Sequence, residues 1–235
     1  MQFQGKKLRH EQKYYLHVHD YMALRHKVSS MLSMDRHAVG AEGYEIRSLY
    51  FDGLHSHALH DKNNGVFGRE KYRIRIYNGS DAKITLERKS KFGEYVCKES
   101  APLTRLEYDA ILEGGYTFLK EKGILLLREF HAALVRGFRP ITIVNYIREA
   151  YVYEPGNVRI TFDKQLSGGI NTCDLFHPEL VLEEALPPSQ TILEVKFDAF
   201  LPDHIRKVVQ PDNHQRSSIS KYVICREVGI KHFKE

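Results

Sequence analysis

The 235-residue chain carries 35 Lys and Arg against 30 Asp and Glu, and this net charge of +5 predicts an anionic partner only if the cations are gathered in one place. A hydrophobic fraction of 42% can fill a real core, so we expect the chain to fold alone. The three cysteines are far apart and form no C-x-x-C pair, which argues against a disulfide framework or a zinc ribbon and favours reduced thiols in the cytoplasm.

Membrane insertion is not expected. The longest apolar run, 124–127, is far too short to span a bilayer, and the N-terminus lacks the apolar core of a signal peptide. We therefore expect a cytoplasmic protein that reaches the inner face of a membrane only through a membrane-protein partner. No linker, low-complexity tract or repeat interrupts the sequence, which predicts a single domain over 1–235.

Strand-like segments dominate, with helical segments between them. In chain order, strands are predicted at 10–18, 45–52, 71–77, 83–89, 94–100, 141–153, 158–163 and 191–198. Helices are predicted at about 20–34, 53–62, 105–113, 116–136, 202–209 and 217–228. The NGSD and EPGN turns (78–81 and 154–157) join neighbouring strands, and 168–169 also has the composition of a turn. The fold class is therefore α+β, with helices around a mostly antiparallel sheet.

Several helix ends carry sequence signals. Thr104 and Glu107 have the spacing of a capping box. Pro202 suits the first position of a helix, and Ser217 is a candidate N-cap for the last one.

The segment KYRIRIY, 71–77, shows the charge pattern that bears on function. In an extended strand Lys71, Arg73, Arg75 and Tyr77 share one face, and the apolar residues between them share the other. The same alternation recurs along four further strands, whose charged faces hold Glu11 and Lys13; Glu87 and Lys89; Arg159 and Asp163; and Glu194 and Lys196. Arg88 is an exception, because it lies on the otherwise apolar face of its strand.

Two arrangements account for these faces. A flat sheet could present its charged face to water. Alternatively, the helices could cover the apolar faces on the outside of a closed barrel, and the charged faces would then line an interior that requires a polyanion. The pattern alone does not decide between them.

Eight segments in chain order carry a resemblance to a known family. They are RHEQKYY, SLYFD, YRIRIY, LERKSKFGEYVCK, NYIREAY, VRITFD, ILEVKFD and SSISKY, and they extend over nearly the whole chain. Together they resemble the VTC domain, the polyphosphate polymerase branch of the triphosphate tunnel metalloenzymes, also called CYTH-like proteins. The resemblance implies an antiparallel β-barrel that forms a tunnel, is flanked by helices, and binds triphosphate substrates with Mn²⁺ or Mg²⁺.

The resemblance also implies roles for individual residues. The phosphate-binding positions fall on Lys13, Arg73, Arg75, Lys89, Lys98, Arg148, Arg159, Lys196 and Lys221. The metal-holding position falls on Glu194, which with Lys221 is the expected catalytic pair. The wider superfamily often has an E-x-E-x-K motif near the N-terminus, whereas this chain has Arg9 in place of the first carboxylate. This departure is closer to the polymerase branch and argues against a two-metal mechanism.

Lys221 has a local reason for attention. A cation in the first turn of a helix opposes the positive end of the helix dipole. A phosphate bound there by free N–H groups, Ser217, Ser218 or Ser220 and Lys221 would reverse that effect, whereas the alternative is a solvated lysine at a frayed helix end.

The first functional hypothesis is an enzyme that transfers the γ-phosphate of ATP to a growing inorganic polyphosphate chain. A triphosphatase on the same fold is the second, and a module that binds polyphosphate or another polyanion without turnover is the third. Nucleic acid is not an expected partner, because the aromatic residues have the pattern of core and strand positions.

Overall fold

Eight long antiparallel strands form a closed barrel. The computed structural model describes residues 2–3, 6–36, 40, 42–53, 69–93, 95–209 and 215–232. The barrel strands are β3 (Arg9–His17), β5 (Tyr44–Asp52), β6 (Arg69–Tyr77), β7 (Ser80–Phe92), β8 (Tyr95–Leu103), β9 (Arg139–Tyr153), β10 (Val158–Gly169) and β12 (Gln190–Phe197). Short strands are β1 (Gln2–Phe3), β2 (Lys6–Lys7), β4 (Ser33–Met34) and β11 (Leu182–Glu184). Around the barrel the order is β10-β12-β3-β8-β7-β6-β5-β9, and β9 pairs with β10 to close it.

Each of the eight predicted strands corresponds to one barrel strand. The NGSD turn between β6 and β7 is confirmed, because Asn78 and Gly79 both have positive φ (52° and 64°). Two residues with positive φ are typical of a type I′ hairpin turn, whose twist matches that of the flanking strands.

The described helices are α1 (Val18–Met31), α2 (Arg105–Leu112), α3 (Leu125–Val135), α4 (Asp203–Val209) and α5 (Lys221–His232), with short 3-10 turns at Thr117–Lys120 and Pro155–Asn157. The capping box is confirmed at α2, where Thr104 Oγ1 accepts from the Glu107 N–H and the Glu107 carboxylate accepts from the Thr104 N–H. Pro202 precedes α4 by one residue, and its carbonyl accepts from Arg206 N–H at 2.8 Å. The helix predicted at 53–62 lies outside the described residues, except for Gly53. No described helix has both the length and the apolar character needed to cross a bilayer.

Two predictions of helix geometry were wrong. The single helix expected at 116–136 is divided, because Gly123 has a φ of 69°, a left-handed conformation that interrupts a right-handed helix. The last helix begins at Lys221 rather than near Ser217, since the side chain that accepts from the first turn belongs to Ser220, whose Oγ lies 3.5 Å from Val223 N.

The predicted turn at 168–169 is also wrong, because both glycines belong to β10. A Cβ atom on Gly168 would lie 3.2 Å from Cys225 of α5, and one on Gly169 would lie 2.9 Å from Ile143. The glycines therefore allow α5 and β9 to approach the β10 backbone closely.

The apolar faces of the strands point outward and are covered by helices. On one side, α1 and α4 pack on β3, β10 and β12 through Val28, Ile205, Leu16, Phe162 and Val195, none of which is exposed. On the other side, the residues of α2 and α3 pack on β5, β6 and β7, and this core includes Tyr108, Phe130, Leu49, Ile74 and Leu86. This arrangement decides between the two alternatives left by the sequence, because the charged faces are directed into the barrel.

The barrel is joined least extensively between β3 and β8. Within the described part of the chain, two residues of β3, Arg9 and His10, have backbone partners on β8, whereas eight residues of β3 pair with β12. An ion pair links β3 to β7, the strand beyond β8, since Lys89 Nζ lies 2.8 Å from both carboxylate oxygens of Glu11. Side-chain charges thus connect the two sides of the barrel where few backbone hydrogen bonds do.

Candidate active site

The barrel encloses a cationic cavity of about 300 Å³. Thirteen lysines and arginines line it: Arg9, Lys13, Arg69, Lys71, Arg73, Arg75, Lys89, Lys91, Lys98, Arg148, Arg159, Lys196 and Lys221. Among the residues that the structure describes, two carboxylates, Glu11 and Glu194, line the same space, and two more buried carboxylates, Glu87 and Asp163, contact lining cations. The local excess of positive charge therefore exceeds the +5 of the whole chain, which leaves the rest of the protein net acidic.

All of the residues assigned from the family resemblance line this cavity. All but Lys98, at 51%, have side chains less than one-third exposed, and Arg159 at 32% is the next most exposed. Arg159 forms an ion pair with Asp35 at 2.5 Å and donates to Tyr44 Oη at 2.9 Å. The structure brings the predicted set together, while the role of each residue stays a prediction.

Glu87 organises the two arginines of KYRIRIY. It lies 2.6 Å from Arg73, 3.6 Å from Arg75 and 2.8 Å from Lys98. Although burial alone raises a carboxyl pKa, Arg75, Arg73 and Lys98 lower that of Glu87 far below its usual value of 4.5. Arg75 also donates to Ser48 Oγ at 3.1 Å, so the orientation of its guanidinium group is fixed before any ligand binds.

A second cluster surrounds Glu194, the predicted metal ligand. Its carboxylate lies 3.0 Å from Lys196, 3.3 Å from Arg148 and 3.5 Å from Lys13, and it is only 3% exposed. Burial opposes the charged form of this carboxyl, yet the surrounding lysines, with Lys196 and Lys13 first, hold the pKa of Glu194 well below its usual value. Lys13 also contacts Glu11 at 3.0 Å, which places two carboxylates around one ammonium group.

The third cluster joins α5 to the cavity. Lys221 Nζ lies 2.6 Å from Asp163, which also receives two 2.7 Å hydrogen bonds from Arg148. The Lys221 side chain is 10% exposed, so the alternative of a solvated lysine at a frayed helix end was wrong. Ser218 and Ser220 line the cavity beside Lys221, whereas Ser217 does not and instead donates its N–H to the Lys13 carbonyl at 2.9 Å.

Sequence reasoning placed Glu11, Glu87 and Asp163 on charged strand faces without assigning them a role, and it did not single out Tyr50 or Tyr146. Tyr50 and Tyr146 line the cavity, where Tyr50 Oη accepts from Arg73 at 2.7 Å and Tyr146 Oη lies 3.3 Å from Arg75. The alternation of side chains along a strand, or strand parity, could have found Tyr146, because it lies two residues before Arg148 on β9 and so shares its face. The same parity places Asp163 with Arg159, but charge pairing across strands is not visible in one strand.

The donor set of the cavity fits a divalent cation shared with a ligand. The described residues contain no group of three or more His, Cys, Asp or Glu side chains able to hold a metal ion. Glu194 and Glu11 offer hard carboxylate oxygens on neighbouring strands, but lysines neutralise both. Mg²⁺ is commonly bound by one or two carboxylates together with substrate phosphates, so the residues suit a cation that arrives with phosphate.

Solved structures share this architecture at low sequence identity. A protein from Hippeastrum, described as a candidate adenylyl cyclase with a dominant triphosphatase activity, matches with a TM-score of 0.57 and 14% identity over 94% of this chain and 96% of its own. Candidate adenylate cyclases from Bacillus halodurans and Vibrio parahaemolyticus match with TM-scores of 0.50 and 12% identity, over 98% and 93% of this chain and 91% and 98% of theirs. These similarities show the fold alone.

The sequence comparisons go further on the family. No curated protein matches the chain. The sequence model of the VTC domain matches residues 8–229, which include the whole described barrel and nearly all of α5. The chain therefore belongs to the VTC domain family, on the triphosphate tunnel fold.

Proposed function

We propose that this protein is a polyphosphate polymerase, which transfers the γ-phosphate of ATP to a growing inorganic polyphosphate chain. The observation that carries the proposal is the convergence of cations from seven of the eight barrel strands on one cavity. A linear polyanion can neutralise such a set at several positions at once. Neither a flat phosphate site nor a surface patch requires charges directed inward from all sides.

The arginines and lysines would supply the catalysis. Phosphoryl transfer depends mainly on alignment and on stabilising the charge of the phosphate oxygens. Arg73 and Arg75, held by Glu87 and Ser48, would present planar guanidinium groups to those oxygens. Mn²⁺ or Mg²⁺, held by Glu194 and Glu11 with the phosphates, would screen negative charge on the transferring group.

The protonation states of the cavity carboxylates argue against hydrolysis by a carboxylate base. A carboxylate that activates water must accept a proton near neutral pH. The cavity carboxylates are poorly suited to that role: lysines lower the pKa of Glu11 to about 2 against the effect of burial, and Arg148 and Lys221 do the same for Asp163. An oxygen of a terminal phosphate is already anionic, so it can attack the γ-phosphorus without a base while ADP leaves with the electrons of the broken bond.

Turnover with ATP tests the proposal directly. The purified protein is incubated with ATP and Mn²⁺, and separately with Mg²⁺, and the products are separated by gel and assayed for orthophosphate. A ladder of phosphate polymers with equivalent ADP supports the proposal. Orthophosphate without polymer would favour the triphosphatase, which is the activity described for the Hippeastrum neighbour. ATP binding without either product would favour a binding module.

Two variants locate the activity. Glu194→Gln should lose most turnover and still bind ATP, since the cations around it remain. Glu99→Gln is the matched control, because Glu99 pairs with Arg88 on the outward face of β7 and β8 and does not line the cavity. Equal losses in both variants would show that general destabilisation, not the cavity, explains the effect.

A further inference from the structure

Lys71 differs from most lysines of the cavity. Each of the lysines that contacts a carboxylate in the cavity does so within 3.0 Å: Lys13, Lys89, Lys98, Lys196 and Lys221. Lys71 forms no ion pair with a carboxylate among the described residues; its Nζ lies 3.3 Å from Ser220 Oγ and 4.5 Å from the centroid of the Tyr222 ring. A hydroxyl and an aromatic ring can orient an ammonium group, but they do not neutralise it.

The strand register places this lysine at the end of a row of like charges. Lys71 of β6 lies directly opposite Lys89 of β7, and Lys89 lies directly opposite Lys98 of β8. Like charges in directly opposite positions destabilise a sheet. Glu11 and Glu87 neutralise Lys89 and Lys98, so the repulsion between like charges in this row is left uncompensated at Lys71.

The groups that face Lys71 come from every element around it. They are Lys89 on β7, Lys13 on β3, Arg69 on its own strand, Asp52 on β5, and Tyr222 on α5. Asp52 is the only carboxylate in this group, and it accepts from Tyr222 Oη at 2.6 Å and from Gly53 N–H. Burial, followed by the like charges of Lys89, Lys13 and Arg69, lowers the pKa of Lys71 from 10.5 to about 7.

We propose that Lys71 is a further phosphate-binding residue of the tunnel, which takes up a proton when a polyphosphate enters the cavity. This inference rests on the proposed function of the cavity as a polyphosphate site. Phosphate oxygens beside Lys71 would supply the negative charge that the protein does not, which favours the ammonium form. The amine takes the proton from solvent, and no covalent bond forms or breaks.

Calorimetry can measure this proton. Inorganic tripolyphosphate is titrated into the metal-free protein at about pH 8, in two buffers of different ionisation enthalpy, and the difference in heat gives the protons exchanged. Tripolyphosphate itself titrates near this pH, so the informative quantity is the difference between wild type and variants. Wild type should take up close to one proton more than Lys71→Met, because an amine of pKa about 7 is mostly neutral at pH 8.

Three further variants make the measurement specific. Lys71→Arg keeps a permanent charge, so it should bind without the extra proton, and above pH 8 the wild-type affinity should fall relative to this variant by up to about tenfold per pH unit. Lys27→Met, on the exposed surface of α1, should behave as wild type. Burial also lowers the pKa of Lys89, Lys91 and Lys196, and Lys196→Met tests the last of these, whose pKa is brought to about 8.

The outcomes separate this inference from the proposed function. Loss of the extra proton in both Lys71 variants, with binding retained in Lys71→Arg, supports the inference. Proton uptake that persists in Lys71→Met, or that disappears only in Lys196→Met, overturns it and leaves the site intact. If wild type does not bind tripolyphosphate, the proposed function itself fails.

Discussion

Replacing Glu87 by glutamine removes a buried negative charge while keeping nearly the same shape. In the structure this carboxylate is 1% exposed and contacts Arg73 at 2.6 Å, Lys98 at 2.8 Å and Arg75 at 3.6 Å. Coulomb's law at an effective dielectric constant of about 20 gives roughly 6 kcal/mol for unit charges about 2.8 Å apart, most of which desolvation offsets. Lys98 is half-exposed, so solvent screens its share.

The expected loss of stability follows from the two buried arginines, Arg73 and Arg75. Removing one partner of a buried ion pair lowers the free energy of unfolding by about 3–5 kcal/mol. Because glutamine retains one oxygen acceptor, we expect Glu87→Gln to lower it by an amount near the lower end, about 3 kcal/mol. For a chain of this size that lowers Tm by about 6–12 °C. The sequence has no tryptophan, so unfolding in urea should be followed by far-ultraviolet circular dichroism.

Polyanion binding gives the decisive comparison. Inorganic tripolyphosphate should stabilise Glu87→Gln more than wild type, because its oxygens replace the lost charge beside the arginines. Glu99→Gln, which weakens the ion pair with Arg88 outside the cavity, should show no such extra stabilisation. A loss below about 1 kcal/mol, or equal stabilisation of all three proteins by tripolyphosphate, would refute the idea that Arg73 and Arg75 depend on a nearby anion.

Three further predictions test the same cavity. The pKa of Glu87 in the folded protein lies below 4.5, so its charge stabilises the fold above that pH. The difference in unfolding free energy between wild type and Glu87→Gln should therefore shrink when urea titrations are repeated at falling pH. The lowered pKa of Lys71 has the opposite consequence, because at pH 7 the unfolded chain binds this proton more completely than the folded chain does. Lys71→Met should therefore raise the stability of the ligand-free protein at pH 7 by at least about 1 kcal/mol, and a decrease in Tm would contradict this. Arg75→Lys should clearly lower turnover, because lysine lacks the planar guanidinium group that can bind two phosphate oxygens at once. Arg75→Ala should in addition weaken ATP binding by about 1.5–3 kcal/mol. Wild-type turnover in Arg75→Lys would show that this residue only attracts anions electrostatically.

The sequence correctly predicted those features of the fold that depend on which face of a strand a side chain occupies. All eight barrel strands were predicted, and alternation in five of them placed residues such as Arg73, Arg75, Arg159 and Glu194 on the charged faces of their strands. Parity cannot, however, tell a closed barrel from a flat sheet, because both have one charged and one apolar face. The family resemblance, not the periodicity, supplied the closure.

Pairing across strands explains what was missed. Glu87 was visible as a member of a charged face, but its contact with Arg73 depends on the register between β6 and β7, where the two residues lie opposite each other. Arg88, which disturbed the apolar face of its strand, is paired on the outside with Glu99 and Glu129 at 2.8 and 2.9 Å. The late start of α5 has a local cause, because Ser220 rather than Ser217 supplies the hydroxyl that accepts from the first turn of the helix.

The distribution of charge also bears on which anions can bind. Since the cavity holds more positive charge than the whole chain, the exterior is net acidic and cannot attract polyanions over its whole surface. An anion must instead enter the cavity to reach the cations, and Lys98 and Arg159 are the most exposed of the assigned ones. A cavity of about 300 Å³ corresponds to about ten water molecules at roughly 30 Å³ each, which suits a short run of phosphates. A nucleic-acid duplex is far too wide to enter, so the selectivity of this protein for slender polyanions would come from the closure of the barrel rather than from any single cation.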